Sequence, residues 1–281
     1  MALRKLKNRL FEVALTLAAL VGVGLLALVV GSVFLKGVGA LGWSFFTKGP
    51  AIFGESGGGI APAFVGTFLL VAVATAIALP AGVLIAIYVS EFAPRRLADQ
   101  VRLWLDVLNG FPSIVIGIFV FALLVVGHKQ SGYAGSFALA VIMLPLVSRA
   151  TTEVLALVPN DLREASYALG VSNWRTVLSI VLPSALGGIL TGTTLAIARA
   201  AGETAPLLFT SAIVGTGVVW DPHDALASIP VTIFEYSESP DPALHEQAWA
   251  AAFVLIAFVL VTSLTARFLL ERSRRKLGAP S

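Results

Sequence analysis

Uncharged runs dominate the pattern of this chain. Five stretches, 13–35, 56–90, 107–128, 176–198 and 247–266, contain no Asp, Glu, Lys or Arg, and a sixth, 130–148, is 19 residues long. About 20 apolar helical residues cross the roughly 30 Å hydrocarbon core of a bilayer. The pattern therefore predicts an all-α integral membrane fold of six transmembrane helices. Pro62 suits the first turn of the second span, whereas Pro80 lies in its interior and predicts a kink. Asn109-Gly110-Phe111-Pro112-Ser113 opens the third span, and Pro145 interrupts the fourth. Prolines and glycines at such places read either as close helix packing or as gating hinges.

Composition narrows the class. Apolar residues make up 57% of the 281 and charged residues 12%, about half the charge a soluble domain carries. Six spans with their loops leave no room for a soluble domain of ordinary size. A net charge of +3 could suit a nucleic acid, but its distribution marks topology instead. Arg4, Lys5, Lys7 and Arg9, then Arg95, Arg96 and Arg102, then Arg149, Arg163 and Arg175, and finally Arg267, Arg272, Arg274, Arg275 and Lys276 share one side of a six-span arrangement. Only Lys36, Lys48, Lys129 and Arg199 fall on the other. The positive-inside rule places both termini in the cytosol, with lipid and not nucleic acid as the surroundings.

The acidic residues Glu203, Asp221, Asp224, Glu235, Glu238, Asp241 and Glu246 all follow the fifth span, on the outer side. With no cysteine there is neither a disulfide framework nor a thiolate metal site. The first uncharged run is longer than a signal-peptide core, so an uncleaved first helix is expected. The loop 36–59 ends in Gly57-Gly58-Gly59 and belongs outside, because irregular backbone cannot lie exposed in hydrocarbon.

Between the fourth and fifth spans, 149–175 is far longer than a hairpin needs. Its centre reads Asn160-Asp161-Leu162-Arg163-Glu164-Ala165-Ser166-Tyr167-Ala168-Leu169-Gly170. Asn160 or Asp161 can cap a short helix, and Leu162, Ala165, Ser166 and Leu169 recur at helical spacing. Gly170 can end the helix in the left-handed conformation. The result is a two-turn helix with a narrow face of small residues. It suits either docking into a partner's groove or lying on its own bundle.

Two enzyme signatures match by letter. Gly37-Val38-Gly39-Ala40-Leu41-Gly42 fits the dinucleotide pattern but follows a membrane helix and lacks a βαβ context. Gly54-Glu55-Ser56-Gly57-Gly58 fits a nucleophile elbow and resembles the Gly-x-Ser-Gly of rhomboid proteases, so an intramembrane serine protease is the enzyme alternative. That chemistry needs a base beside the serine, and His128, His223 and His245 all lie in or beside outer loops, without metal-ligand spacing. No phosphate-binding Gly-x-x-x-x-Gly-Lys-[Ser/Thr] loop is present, so ATP hydrolysis is not expected from this chain. A purely structural membrane scaffold is the third class to weigh.

Arg199-Ala200-Ala201-Gly202-Glu203-Thr204-Ala205-Pro206 follows the fifth run. If the helix began inside that run, Arg199 would lie within the membrane, where an ionisable residue is expensive and marks function. Arg199 and Glu203 stand at i, i+4 on one face. A guanidinium held by one carboxylate keeps donors for a phosphate or sulfate oxyanion. The same pair could equally lock two helices together.

Glu164-Ala165-Ser166-x3-Gly170-x9-Ile180-x-Leu182-Pro183 resembles the EAA loop of permease subunits of binding-protein-dependent ABC importers, with Ser166 where alanine is usual. Around it, four segments are similar to the PstA-type permeases of phosphate-specific importers. These are Gly58-Gly59-Ile60-x-Pro62-Ala63-x3-Gly66-Thr67, Ala86-Ile87-Tyr88-x2-Glu91, Gly110-x-Pro112-Ser113-Ile114-Val115-x-Gly117 and Arg199-Ala200-x-Gly202-Glu203-Thr204-Ala205-Pro206-Leu207-Leu208.

The resemblance implies a type I ABC importer permease (MetI-like) core at 57–270, with its EAA loop at 149–175. A first helix and outer loop at 1–56 precede the core, and a basic cytosolic tail at 271–281 follows it. It implies a non-catalytic subunit importing inorganic phosphate, or else another oxyanion such as sulfate or molybdate. The partners implied are a PstC-type second permease, two PstB-type ATP-binding subunits carrying ATP and Mg, and a periplasmic PstS-type phosphate-binding protein. No cofactor, metal ligand or catalytic residue is expected on this chain. The expected pathway residues are Arg199, Glu203 and Thr204. The residues expected to couple to the ATPases are Glu164, Ala165, Ser166, Gly170, Leu182 and Pro183.

Overall fold

The computed structural model describes residues 2–50, 58–213 and 217–276, and every regular element among them is helical. Helix α1 (Ala2–Gly37) ends in a 3-10 turn and is followed by the short α2 (Trp43–Thr47). Helix α3 (Ala61–Ile87) continues into a π turn, Tyr88–Phe92. Next come α4 (Arg95–Gly110) and α5 (Ser113–Val120), the latter closed by a second π turn, Phe121–Val125. The central α6 (Gly132–Ala156) precedes α7 (Asn160–Ala168). Helix α8 (Asn173–Thr176) passes through a third π turn, Val177–Val181, into α9 (Leu182–Ala201). The chain ends with α10 (Ala205–Thr210), α11 (Ile229–Glu238) and α12 (Pro242–Lys276).

Among the described residues, five helical stretches are long and apolar enough to cross a bilayer: Arg4–Ala40, Ala61–Phe92, Gly132–Ala156, Asn173–Ala201 and Pro242–Thr265. The expected span at 107–128 is not one straight helix. Its first four residues belong to α4, and the chain bends by 97° before α5. Pro112 bars the helical conformation from the residue before it, and Phe111 is accordingly extended at φ −68°, ψ 135°. Helix α4 is amphipathic, with Arg95, Asp99, Arg102 and Asp106 opposite Leu97, Val101 and Leu108. The eight residues of α5 and its five-residue π turn extend about 20 Å, short of the hydrocarbon core. The total reaches six spans only when the bent pair counts as one.

Pro145 does not interrupt the fourth span. Helices α3 and α6 run without a break through Pro80 and Pro145, as helices inside membranes do where neighbouring helices support the freed backbone. Helix α6 forms the centre of the bundle. Leu139, Met143 and Val147 pack between Leu70, Ala74 and Ala78 of α3 and Ala196 and Ala200 of α9. The helices touch through small residues: a Cβ on Gly82 of α3 would come 2.9 Å from Val147 Cγ1. In a membrane such close approach, and not the hydrophobic effect, draws helices together.

Helix α1 joins the bundle only near its C-terminal end. A Cβ on Gly37 would lie 2.7 Å from the Trp249 carbonyl oxygen of α12, and the rings of Phe34 and Phe253 are 5.3 Å apart. Gly37 is therefore a packing glycine at the end of a helix, not the start of a dinucleotide loop. At the far end of the bundle from α7, Thr210 and the segment 222–229 close over the starts of α3 and α6. Ser131 N–H donates to Thr210 O and Gly132 N–H to Asp224 O. Thr67 Oγ1 accepts the Ile229 N–H at 2.8 Å, and Gly66 leaves room for the Ala227 carbonyl, which a Cβ would overlap.

Candidate functional site

The segment 149–175 is less of a loop than its length suggests. Helix α6 continues to Ala156, so Arg149 lies on a helix, paired with Glu153 at 3.1 Å and with Asp106 of α4 at 3.4 Å. Helix α7 follows directly. Its N-cap is Pro159 and neither Asn160 nor Asp161 caps it; the Asn160 side-chain Oδ1 instead accepts from Arg163 Nη1 at 3.2 Å. The C-terminus forms as expected, with Gly170 at φ +76°. Val171 N–H bonds to Ser166 O and Gly170 N–H to Tyr167 O, the paired bonds of a Schellman ending. A residue with a Cβ would pay roughly 1–2 kcal/mol for that left-handed conformation.

The expected face of α7 divides. Leu162, Ala165 and Leu169 are exposed, Leu169 at 83%, whereas Ser166 is buried. Ser166 points inward because its hydroxyl lies 2.8 Å from Thr176 Oγ1, at the entrance to α9. Of the expected coupling residues, Glu164, Ala165 and Gly170 lie on the exposed side. Leu182 and Pro183 stand at the start of α9, straight after the π turn, where Leu182 N–H bonds five residues back to Val177 O. Pro183 explains that turn: its ring would crowd the carbonyl four residues earlier, and the wider turn relieves the clash.

Beneath α7 lies an ion pair that sequence reading did not single out. Arg163 grips Glu91 of the α3 π turn with two bonds, Nη2 to Oε1 at 2.7 Å and Nε to Oε2 at 3.3 Å. Nη1 also donates to Val158 O at 2.7 Å and Nη2 to Leu155 O at 3.1 Å. With the bond to Asn160, all five guanidinium donors are engaged. The side chains are only 15% and 9% exposed. The available signal was Glu91 itself, the lone acid that ends a long uncharged run.

At the opposite end, the continuous helical stretch that runs from α8 into α9 begins at Asn173, ahead of the uncharged run, so Arg199 falls in the last turn of α9 and not in mid-span. A cation there is favoured by the helix dipole. Arg199 Nε lies 3.5 Å from Glu203 Oε1, with Arg199 48% exposed and Glu203 16%. Among the described residues the two terminal amino groups of Arg199 make no hydrogen bond. Thr204 is the N-cap of α10 through its backbone, accepting from Leu207 and Leu208 N–H, and its side chain makes no cap bond. Helix α10 then packs on α5, where a Cβ on Gly117 would lie 2.6 Å from Pro206 Cα.

Among the described residues the protease alternative finds no dyad. Ser56 of the elbow lies outside the described residues. His223 pairs with Asp221 at 2.8 Å and stacks edge-on with Tyr133. His245 and Ser237 line one cavity of about 320 Å³, but each is bonded to a backbone carbonyl, of Ser239 and Phe234 respectively. Nearby, the hydrogen bond to Asp224 holds the Lys129 ammonium pKa above its ordinary value. The His223 backbone N–H lowers that of Asp221.

Comparison with known proteins agrees with this geometry. The family described as "Binding-protein-dependent transport system inner membrane component" matches residues 78–276. The chain is 42% identical to "Phosphate transport system permease protein PstA" of Pasteurella multocida (strain Pm70) over 94% of each chain. It is 39% identical to the protein of the same name from Yersinia pestis, over 97% of this chain and 93% of that one. Among solved structures, a bacterial alginate ABC transporter chain superposes with a TM-score of 0.67 at 14% identity, covering 95% of this chain and 96% of that one. A chain of the MetNI methionine ABC transporter gives 0.60 at 19%, over 76% and 94%. The structural matches show a shared fold and the sequence matches a shared family: the chain belongs to the binding-protein-dependent inner membrane transport components, among the PstA permeases.

Proposed function

We propose that this permease imports inorganic phosphate as one half of the translocation pathway of an ATP-driven importer. The observation that carries the reading is 42% identity, over 94% of both chains, to a phosphate transport system permease. Its partners are a PstC-type permease, two PstB-type ATP-binding subunits and a periplasmic PstS-type phosphate-binding protein. ATP and Mg stay on the ATPases. Glu164, Ala165, Gly170, Leu182 and Pro183 form or support the surface that meets an ATPase, with Ser166 bracing it from beneath. Arg199, with Glu203 and Thr204 beside it, serves anion passage. Closure of the ATPases moves α7, and the helix bundles rock about the pathway to alternate access.

Reconstituted with these partners in proteoliposomes, the chain is expected to support ATP-dependent uptake of radiolabelled phosphate that a tenfold excess of sulfate or molybdate leaves unchanged. Strong competition by either anion would move the substrate to that oxyanion. Loss of ATP dependence would remove the importer reading altogether.

We further propose that the α7 end, where Arg95, Arg102, Arg149, Arg163 and Arg175 gather, faces the cytosol. Both termini lie on that side, in a multi-pass inner-membrane protein. The chain has no native thiol, so single cysteines report sidedness directly. Ser237→Cys on α11 is expected to react with an impermeant maleimide on intact cells, and Asp161→Cys on α7 only after lysis. The reverse pattern would invert the topology.

A further inference from the structure

Helix α7 is fastened at two points, and each fastening falls at a π turn. One is the buried pair from Arg163 to Glu91, within the π turn Tyr88–Phe92 that ends α3. The other is the single bond between Ser166 Oγ and Thr176 Oγ1, directly before the π turn that leads into α9. The two ties differ in stiffness. Arg163 makes five bonds, two of them charge-assisted to one carboxylate, so it fixes α7 against both α3 and the end of α6. The hydroxyl pair is one neutral bond that can pivot.

A displaced α7 therefore pulls on the end of α3 through a charge-assisted grip as well as on α9 through the chain. On the flank toward α4, a cavity of about 330 Å³ lined by Ser90, Glu91, Arg102, Thr152 and Asn160 leaves space beside the pair. Helix α3 does not end its reach there. Nearer its start, at Gly66 and Thr67, it holds the closing segment of the opposite end, through Gly66 against Ala227 and Thr67 against Ile229. In between it packs on α6 along Leu70, Ala74, Ala78 and Gly82.

We infer that the Glu91–Arg163 pair is the positioning link that converts displacement of α7 into displacement of α3, and through α3 into movement of the segment around 227–229 at the far end. This rests on the proposed docking of α7 to an ATPase. Glu91 and Arg163 touch neither substrate nor ATP. Their role is to keep ATP hydrolysis and anion movement in step.

The test uses the whole reconstituted complex with phosphate, measuring assembly, ATPase rate and phosphate imported per ATP hydrolysed. Glu91→Gln keeps the shape of the side chain and removes the ionic grip. It is expected to assemble and to hydrolyse ATP at the wild-type rate while phosphate per ATP falls about tenfold. Glu91→Asp keeps the charge but gives up the two-point grip, and is expected to fall only two- to threefold. In Glu91→Cys/Arg163→Cys, a short bis-methanethiosulfonate bridge is expected to restore coupling, and reduction to abolish it again.

An unchanged ratio in assembled Glu91→Gln would overturn the link. So would failure of every variant to assemble, since the pair would then be a folding element. Docking is read separately by cross-linking Ala165→Cys to the ATPase. Absence of that cross-link in an otherwise wild-type chain removes the docking reading. Its presence together with an unchanged ratio removes only the link.

Discussion

Arg199→Gln is expected to lower phosphate uptake about ten- to a hundredfold with the complex still assembled in the membrane. A hydrogen bond to a charged group is worth about 1.5–3 kcal/mol, and each 1.4 kcal/mol is about a tenfold change. Arg199 sits at the end of α9, half exposed, with one carboxylate 3.5 Å from Nε. Arg199→Lys keeps the positive potential but loses the planar fork, so a partial loss is expected. Glu203→Gln separates the two roles of the pair. A helix-locking ion pair predicts loss of assembled complex, although a half-exposed arginine softens that cost. A pathway role predicts normal assembly with altered uptake. Radiolabelled phosphate uptake, normalised to complex in the membrane, measures all three. Wild-type uptake by assembled Arg199→Gln would falsify the anion role and leave Arg199 as a packing element.

Ala165→Asp is expected to abolish ATP-driven uptake while leaving the chain folded. Ala165 is exposed on α7, and substitutions at such positions ordinarily shift stability by no more than about 0.5 kcal/mol. If that surface enters a groove of an ATPase, a carboxylate there adds bulk and an unpaired charge to a close contact, which is costly. The ATPase should copurify far less with the variant, and uptake should fall in proportion. Wild-type copurification and uptake would show that α7 is a surface helix of its own bundle and nothing more.

The contrast between α7 and its surroundings shows what the sequence makes legible and what it hides. Uncharged length locates five crossing helices almost unaided, because the bilayer sets a minimum that few other environments impose. The 97° bend escaped that criterion, since counting charges gives no weight to the conformational veto of Pro112 over Phe111. Gly170 was readable because its left-handed angle follows from local geometry alone.

Ser166 was not readable as an inward residue. Its direction depends on Thr176, ten positions away, and helical periodicity shows which residues share a face but not where that face points. Glu91 and Arg163 are 72 positions apart, a distance over which no local pattern speaks. Arg199 and Glu203 were visible as neighbours because four residues make one helical turn. The depth of Arg199 was not, because the helical stretch that ends in α9 starts at Asn173 and not at the first uncharged residue.

The seam at the far end from α7 carries a consequence for the order in which the protein matures. Ile229 bonds to Thr67 across 162 positions, and Gln130 holds Phe209 and Ala212 across 79 and 82. Contacts so distant along the chain form slowly, since the intervening chain must first be gathered at an entropic cost. The first helix needs no such partner: its most apolar stretch contains no residue buried against the rest of the chain. Biogenesis therefore runs from an N-terminal helix that lipid alone can hold to a final knitting step. That step waits until the ribosome has delivered α11, and until then the nascent permease stands open on its α11 side.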